Sequence, residues 1–372
     1  AFYLLWRERE RPRGGLGLIA AAGLLAGYGI GVEYPLALLA GLLGLFVAWR
    51  RSPVKPVLVY GGGVLVGLLP LLAYDWWAFG APLHLSYSYV AANSSGVLGL
   101  GAPSLWSALK LLISGRGLFV VTPVVAAAIA GIAILHHEGR RVEAVVAGTV
   151  TGAYFIYNCC YYLPFGGWVP GPRFLITVLP FLAVPLGAAY RRAPLTTLAL
   201  ALISVATMIT ATLTQPLLPV TTSTATWSDL LAAGTLGTHG VTVVLFAGFA
   251  VLAVATAVRA TSRPPLTRLD LELAVLAVGT WFAMESGAQA LLAHPTSGVS
   301  WALAALVVIV VALATVITSV ARGRQLALLA GLPLIVLAPW WFRHPTLVVG
   351  LAALAIAALV VPAPPRRITR SA

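Results

Sequence analysis

Pairs of arginine divide this chain at a spacing that points to a membrane. Arg50-Arg51, Arg140-Arg141, Arg191-Arg192 and Arg366-Arg367 each border apolar stretches, and such stretches recur at lengths that cross a hydrocarbon core of about 30 Å. Inside that core no water satisfies backbone N–H and C=O groups, so the crossing segments must be helices or the strands of a closed barrel. The residue-by-residue alternation of a barrel is missing. Only 9% of the 372 residues are charged and 60% are hydrophobic, whereas a globular domain carries about a quarter charged residues. The expected fold is all-α, a polytopic transmembrane helix bundle.

Crossings are expected at about Gly14–Gly31, Pro35–Trp49, Pro56–Tyr74, Gly117–Leu135, Val142–Tyr161, Phe174–Tyr190, Leu195–Leu213, Gly240–Val258, Leu271–Leu292, Trp301–Val320, Gln325–Trp341 and Thr346–Val361, about twelve helices in all. The net charge of +13 would suggest a nucleic-acid partner in a soluble protein. Here it follows from topology, because basic residues in short loops mark the cytoplasmic face. One set of loops holds Arg7, Arg9, Arg11, Arg13, Arg50, Arg51, Lys55, Arg140, Arg141, Arg191, Arg192, Arg259, Arg263, Arg268, Arg322, Arg324, Arg366, Arg367 and Arg370. The other set holds Lys110, Arg116, Arg173 and Arg343. The first set is expected to be cytoplasmic, which places the N-terminal loop and the C-terminus on that side of the plasma membrane. The apolar run Ala1–Trp6, stopped by Arg7-Glu8-Arg9-Glu10-Arg11, is too short to cross. It is expected to be the cytoplasmic end of a helix that begins upstream, in a longer protein.

Two external connections are long, Asp75–Arg116 and Thr214 to about His239, and long ordered loops usually carry function or cover a site. Within the first, Pro103–Ser114 sets Ser104, Ser107, Lys110 and Ser114 at helical spacing against Leu105, Trp106, Leu109, Leu112 and Ile113, the pattern of a short helix lying in the membrane interface. The same loop carries Trp76 and Trp77, suited to anchoring at headgroup level, and His84, Tyr87 and Tyr89 beside them. The short cytoplasmic loops leave no room for a nucleotide-binding domain, so chemistry is expected outside. Cys159 and Cys160 read as small buried residues with no metal-ligand spacing.

The external arginines are the candidate ligands. Arg173 closes the turn Phe165-Gly166-Gly167-Trp168-Val169-Pro170-Gly171-Pro172 and opens a helix; Arg116 lies in Ser114-Gly115-Arg116-Gly117 and also heads a helix. A guanidinium binds phosphate bidentately, and the first turn of a helix adds N–H groups. Together they are expected to cradle a lipid phosphate, with Trp168, His84, Tyr87 and Tyr89 lining the substrate. External carboxylates are few: Glu33 in the Val32-Glu33-Tyr34-Pro35 turn, Asp75 and Asp229; Glu285 stands within an apolar span. No P-loop, zinc-protease or dinucleotide-binding pattern occurs in a supporting context.

The succession Gly27-Tyr-Gly-Ile-Gly-Val-Glu33-Tyr34-Pro35, Tyr74-Asp75 with Phe79-Gly80-Ala-Pro82 and Tyr87-Ser-Tyr89, Gly115-Arg116-Gly117-Leu118-Phe119 with Pro123, and Gly166-Gly167-Trp168 with Gly171-Pro172-Arg173-Phe174 and Leu179-Pro180-Phe181-Leu182 resembles the GT-C superfamily of integral-membrane glycosyltransferases. Within it the protein-mannosyltransferase and aminoarabinose-transferase-like group is nearest. The likeness covers roughly Arg7–Tyr190, so residues 1–190 form the GT-C-like region and 191–372 a set of further helices of unassigned role. The resemblance implies transfer of a sugar from a polyprenyl-phosphate carrier to a protein, lipid or polysaccharide acceptor on the non-cytoplasmic face, with basic residues on the carrier phosphate. It also implies an aspartate base in a first external loop, which would precede Ala1; Asp75 and Glu33 are the weaker candidates within the chain. No resident cofactor or metal is implied. A transporter or lipid flippase is the alternative, with Glu285 as its one hint.

The topology makes a direct prediction. Alkaline phosphatase fused after Gly171 should be active, and fused after Arg192 inactive; the reverse pattern would invert the orientation.

Overall fold

The computed structural model describes residues 1–10, 15–49, 54–84, 89, 99–214, 217, 248, 255 and 266–293, with the side chains of 210, 213, 214 and 282–293 excepted. These residues form an all-α protein: α1 (Phe2–Arg9), α2 (Leu16–Val32), α3 (Leu36–Ala48), α4 (Val54–Phe79), α5 (Leu105–Ile113), α6 (Leu118–Val121), α7 (Val124–His137), α8 (Arg141–Cys160), a 3₁₀ helix (Arg173–Val178), α9 (Leu179–Arg192), α10 (Pro194–Thr214) and α11 (Arg268–Ala293). Among the described residues, two helical stretches, Val54–Phe79 and Arg173–Arg192, are long and apolar enough to cross a membrane; a third appears if the bent pair Leu105–Val121 and Val124–His137 is one span. The expected crossings Gly240–Val258, Trp301–Val320, Gln325–Trp341 and Thr346–Val361 lie outside the described residues, apart from the isolated residues 248 and 255.

The chain separates into two compact units. The first comprises Ala1–Pro103, Thr149–Tyr162 and Phe174–Val178; the second comprises Ser104–Gly148, Leu163–Arg173 and Leu179–Ala372.

Unit 1 is organised by glycine. On α2, Gly23 and Gly27 stand four apart; on α4, Gly63 and Gly67 repeat the spacing. A Cβ at Gly23 would collide with the Tyr60 carbonyl, one at Gly27 with the Val64 backbone, and one at Gly67 with the Leu24 backbone. The two helices run parallel, backbone against backbone, as small-residue pairs allow when lipid removes the hydrophobic drive between helices. α2 ends at Glu33, whose backbone turns extended (φ −152°, ψ 116°) ahead of Pro35, and Pro35 starts α3, where its missing N–H costs nothing. Tyr60 Oη donates to Ala40 O at 2.9 Å, and Leu43, Val47, Ile19 and Leu5 complete the buried cluster.

One expected boundary needs correction here. Asp75 to Phe79 are not loop: α4 continues through them and stops where Gly80 takes a positive φ of 75°. Trp76 and Trp77 are therefore on the last turns of α4, and both are exposed, as anchors would be.

In unit 2 the crossing expected over Gly117–Leu135 is broken. α6 stops at Val121, Pro123 begins α7, and the stretch Leu105–Val121 meets Val124–His137 at 93°. A continuous helix would join Val124 N–H to Val120 C=O. Instead Ser204 Oγ on α10 accepts from Val124 N–H at 3.0 Å, and Trp281 Nε1 on α11 donates to Val120 O at 2.8 Å. Both halves of the lost bond are replaced by side chains, as non-helical backbone away from water requires. Similarly, the span expected over Phe174–Tyr190 begins as the 3₁₀ helix Arg173–Val178 and only then becomes α9. Gly131 on α7 admits the backbone of Pro185 on α9, with no room for a Cβ.

The basic ends of unit 2 are tied by carboxylates. Glu138 accepts from Arg191 (3.2 Å) and Arg192 (3.2 and 3.3 Å), exposed pairs that orient more than they stabilise. Asp270, 1% exposed, accepts from Leu195 N–H (2.7 Å), Thr196 N–H (3.0 Å) and the Thr196 hydroxyl (2.9 Å). It caps the N-terminus of α10 from another helix. A helix does occur within Pro103–Ser114, as α5, capped by Ser104, with Leu109, Leu111 and Ile113 buried.

Glycine packing in unit 1 yields a paired test. Gly27→Val should lower thermal stability of the detergent-solubilised protein by about 1–3 kcal/mol or more, the usual cost of overpacking. Gly41→Ala, with nothing within 4 Å of its added Cβ, should leave the melting temperature nearly unchanged.

Candidate functional site

The turn that precedes Arg173 is built around Arg116. Two successive glycines, Gly166 (φ 73°) and Gly167 (φ 129°), take conformations other residues rarely adopt. The first is closed by Gly166 N–H to Leu163 O at 2.7 Å. The Arg116 guanidinium then enters from below: its Nη2 donates to Gly167 O at 2.7 Å and to Val169 O, while the planar group stacks 4.7 Å from the Phe165 ring centroid. Arg173 N–H returns to Phe165 O at 3.0 Å and shuts the loop. Arg116 reaches this position because the chain reverses tightly at Ser114–Gly117. There Gly117 N–H bonds Ser114 O at 2.6 Å, and a Cβ on Gly117 would strike the backbone of Leu112 and Ile113.

This geometry separates two arginines that the sequence pairs as a cradle. Arg116 is 4% exposed, its Nη2 is occupied by carbonyls, and its Nε is buried without an acceptor among the described residues. It is a positioning residue for the turn. Arg173 is exposed. It heads a 3₁₀ helix rather than an α-helix, and its own N–H is already used inside the turn. Trp168, on the same turn, is 58% exposed.

The other candidates lie in unit 1. Glu33 caps α2, donating its N–H to Gly29 O at 3.0 Å and accepting from Leu36 N–H at 2.9 Å through its carbonyl. His84 is half-buried, 5.2 Å from the Phe79 ring and 5.3 Å from Tyr89, and Phe79 is 5.5 Å from Tyr89, so three rings meet. Asp75 is 1% exposed and neither carboxylate oxygen has a hydrogen-bond partner among the described residues. Tyr87 and Asp229 lie outside the described residues, and Glu285 is on α11 with its side chain outside them. Cys159 and Cys160 are free thiols, and no group of three or more His, Cys, Asp or Glu able to hold a metal occurs among the described residues.

Sequence reasoning missed Asn158, which is 0% exposed on α8 and donates from Nδ2 to Tyr154 O at 2.7 Å. The signal was there: an amide inside an apolar crossing is costly enough to need a reason. It also missed Ser204 and Trp281, whose partners are 80 and 161 residues away.

Comparison with protein-family models, with curated proteins and with solved structures finds no match.

The role of Arg116 is testable by stability alone. Arg116→Ala should remove two charge-assisted bonds, each contributing about 1.5–3 kcal/mol. Trp168 fluorescence should then shift and protease cleavage near Gly166–Val169 should quicken. Arg116→Lys, which loses the planar stack, should fall between.

Proposed function

We propose that this chain belongs to an integral-membrane glycosyltransferase of the GT-C type, which moves a sugar from a polyprenyl-phosphate carrier to an acceptor on the non-cytoplasmic face of the plasma membrane. The reading includes about twelve crossings with the arginine-rich loops cytoplasmic, α5 at the external interface, residues 1–190 as the region that carries the likeness, and 191–372 as accessory helices. The observation that supports it best is the turn 163–173, whose glycines, buried Arg116 and closing hydrogen bond hold Arg173 exposed at a fixed place beside exposed Trp168.

The chemistry asks for such a group. An acceptor oxygen attacks the anomeric carbon, its proton passes to a carboxylate base, and the bond from that carbon to the phosphate oxygen breaks, the phosphate leaving with the electron pair. A preorganised guanidinium lowers the energy of the departing anion most when it needs no reorganisation, which a rigid turn provides. Trp168 suits the headgroup level at which such a carrier presents its phosphate.

The broken helix α6–α7 favours a second reading, a transporter, since discontinuous helices often expose main-chain groups to a substrate. Ser204 and Trp281 weaken it, because they already occupy Val124 N–H and Val120 O, two of the groups that the break releases.

The discriminating experiment uses membranes containing the full-length protein and radiolabelled polyprenyl-phosphate sugar. Arg173→Ala should reduce transfer about 100-fold, in the range known for loss of one anion-stabilising donor, and Arg173→Lys should recover part of it. Wild-type transfer by a folded Arg173→Ala protein would remove the basis for the phosphate role.

A further inference from the structure

One end of unit 2 gathers arginines from three connections. α7 stops in a Schellman closure: Gly139 takes a positive φ of 81°, its N–H bonds His136 O at 3.2 Å, and Arg140 N–H bonds Leu135 O at 2.9 Å. The chain therefore reverses at Arg140, and Arg141 opens α8. α9 ends with Arg191 and Arg192, and Pro194 opens α10 directly after them. Glu138 joins these two connections by accepting from both Arg191 and Arg192. Asp270 brings in the third: it accepts from Leu195 and Thr196 N–H at the start of α10, so the first turn of α11, with Arg268, lies at the same end.

The charges there do not cancel. One carboxylate, Glu138, serves two guanidinium groups, while Arg140 pairs with Glu143 and Arg268 with Glu272, each at 2.9 Å. Asp270 is buried and turned to the N–H groups of α10. Arg141 is exposed and takes part in none of these pairs. The arginines of the first two connections outnumber their carboxylates by two, four against Glu138 and Glu143. All four are exposed, so the surplus faces outward.

The helix faces beside these cations narrow the kind of anion. Val145 is exposed one turn after Arg141, on the same face of α8. On α11, Leu271 and Val275 follow Arg268 at helical spacing and are exposed as well. A cation followed along one helix face by open apolar residues matches a phospholipid, whose phosphate precedes its acyl chains. Nucleic acid or an acidic peptide has no use for the apolar part. Arg191 and Arg192 close a stretch long and apolar enough to cross a membrane, and at the end of such a crossing a guanidinium stands at headgroup level.

We propose that Arg140, Arg141, Arg191 and Arg192, positioned by the α7 stop and by Glu138, bind the phosphate of an anionic phospholipid, whose acyl chains run along the exposed apolar residues that follow Arg141 and Arg268. Guanidinium groups meet phosphate oxygens bidentately, and basic pockets between membrane helices select anionic headgroups in this way. The surface is at the other end of Arg173–Arg192 from Arg173, so its test does not bear on the transferase reading.

The test is native mass spectrometry of the full-length protein released from nanodiscs of mixed phosphatidylcholine and phosphatidylglycerol. Wild-type protein should retain phosphatidylglycerol in preference to phosphatidylcholine. Arg141→Gln should lower that preference, and the double variant Arg191→Gln with Arg192→Gln should lower it on the order of tenfold. Replacing the same pair by lysine keeps the charge but not the fork, and should retain part of the preference. Lys55→Gln, at an exposed cation of unit 1, should leave it unchanged. Because Arg141 lies outside the ion pairs, its variant reports on binding even where the double variant fails to fold. Undiminished phosphatidylglycerol retention in folded Arg141→Gln protein, or an equal loss in Lys55→Gln, would overturn the site. Displacement of the lipid by soluble glycerol phosphate would overturn the lipid assignment in favour of a free phosphate.

Discussion

The constraint from which the rest follows is that a chain this apolar has no water to fall back on. Each backbone group released from a helix must be recaptured by protein. The α6–α7 break shows the rule at work. Pro123 prevents a continuous helix, and the two groups thereby released, Val120 O and Val124 N–H, are met by Trp281 and Ser204. Asp270 does the same for the start of α10. Three elements of unit 2 are thus held by side chains whose work is to complete main-chain hydrogen bonding, and that framework carries the turn 163–173.

Within the turn, one arginine fixes the place of another. Arg116 is spent on two carbonyls and an aromatic face, a use for which its planar, multi-donor group is suited. That expenditure leaves Arg173 as the exposed cation of the loop, with glycines at 166 and 167 making the path sterically open. The proposed anion chemistry needs one well-placed guanidinium more than two loosely placed ones.

Apolar runs made the helices legible: α2, α3, α8 and α10 follow from the absence of charge over a span and from Pro35 and the arginine pairs at its ends. Where the sequence misled, the deciding partner was distant. Nothing near Arg116 reveals carbonyls 51 and 53 residues on, and nothing near Pro123 reveals Ser204. Asp75 was misplaced for a different reason. The change from apolar to aromatic and acidic residues after Ala73 resembles a loop, but the helix stops only at a residue able to take positive φ, and the first is Gly80. Its burial without a hydrogen-bond partner among the described residues has no sequence signature at all.

The 26 residues of α4 measure about 39 Å along the axis, some 9 Å more than a typical hydrocarbon core. Such an excess has to be absorbed by inclination, or by letting the final turns rise among the headgroups. Those final turns carry Asp75, Trp76 and Trp77. In a bilayer, the depth of the buried acid would therefore follow the thickness of the surrounding lipid.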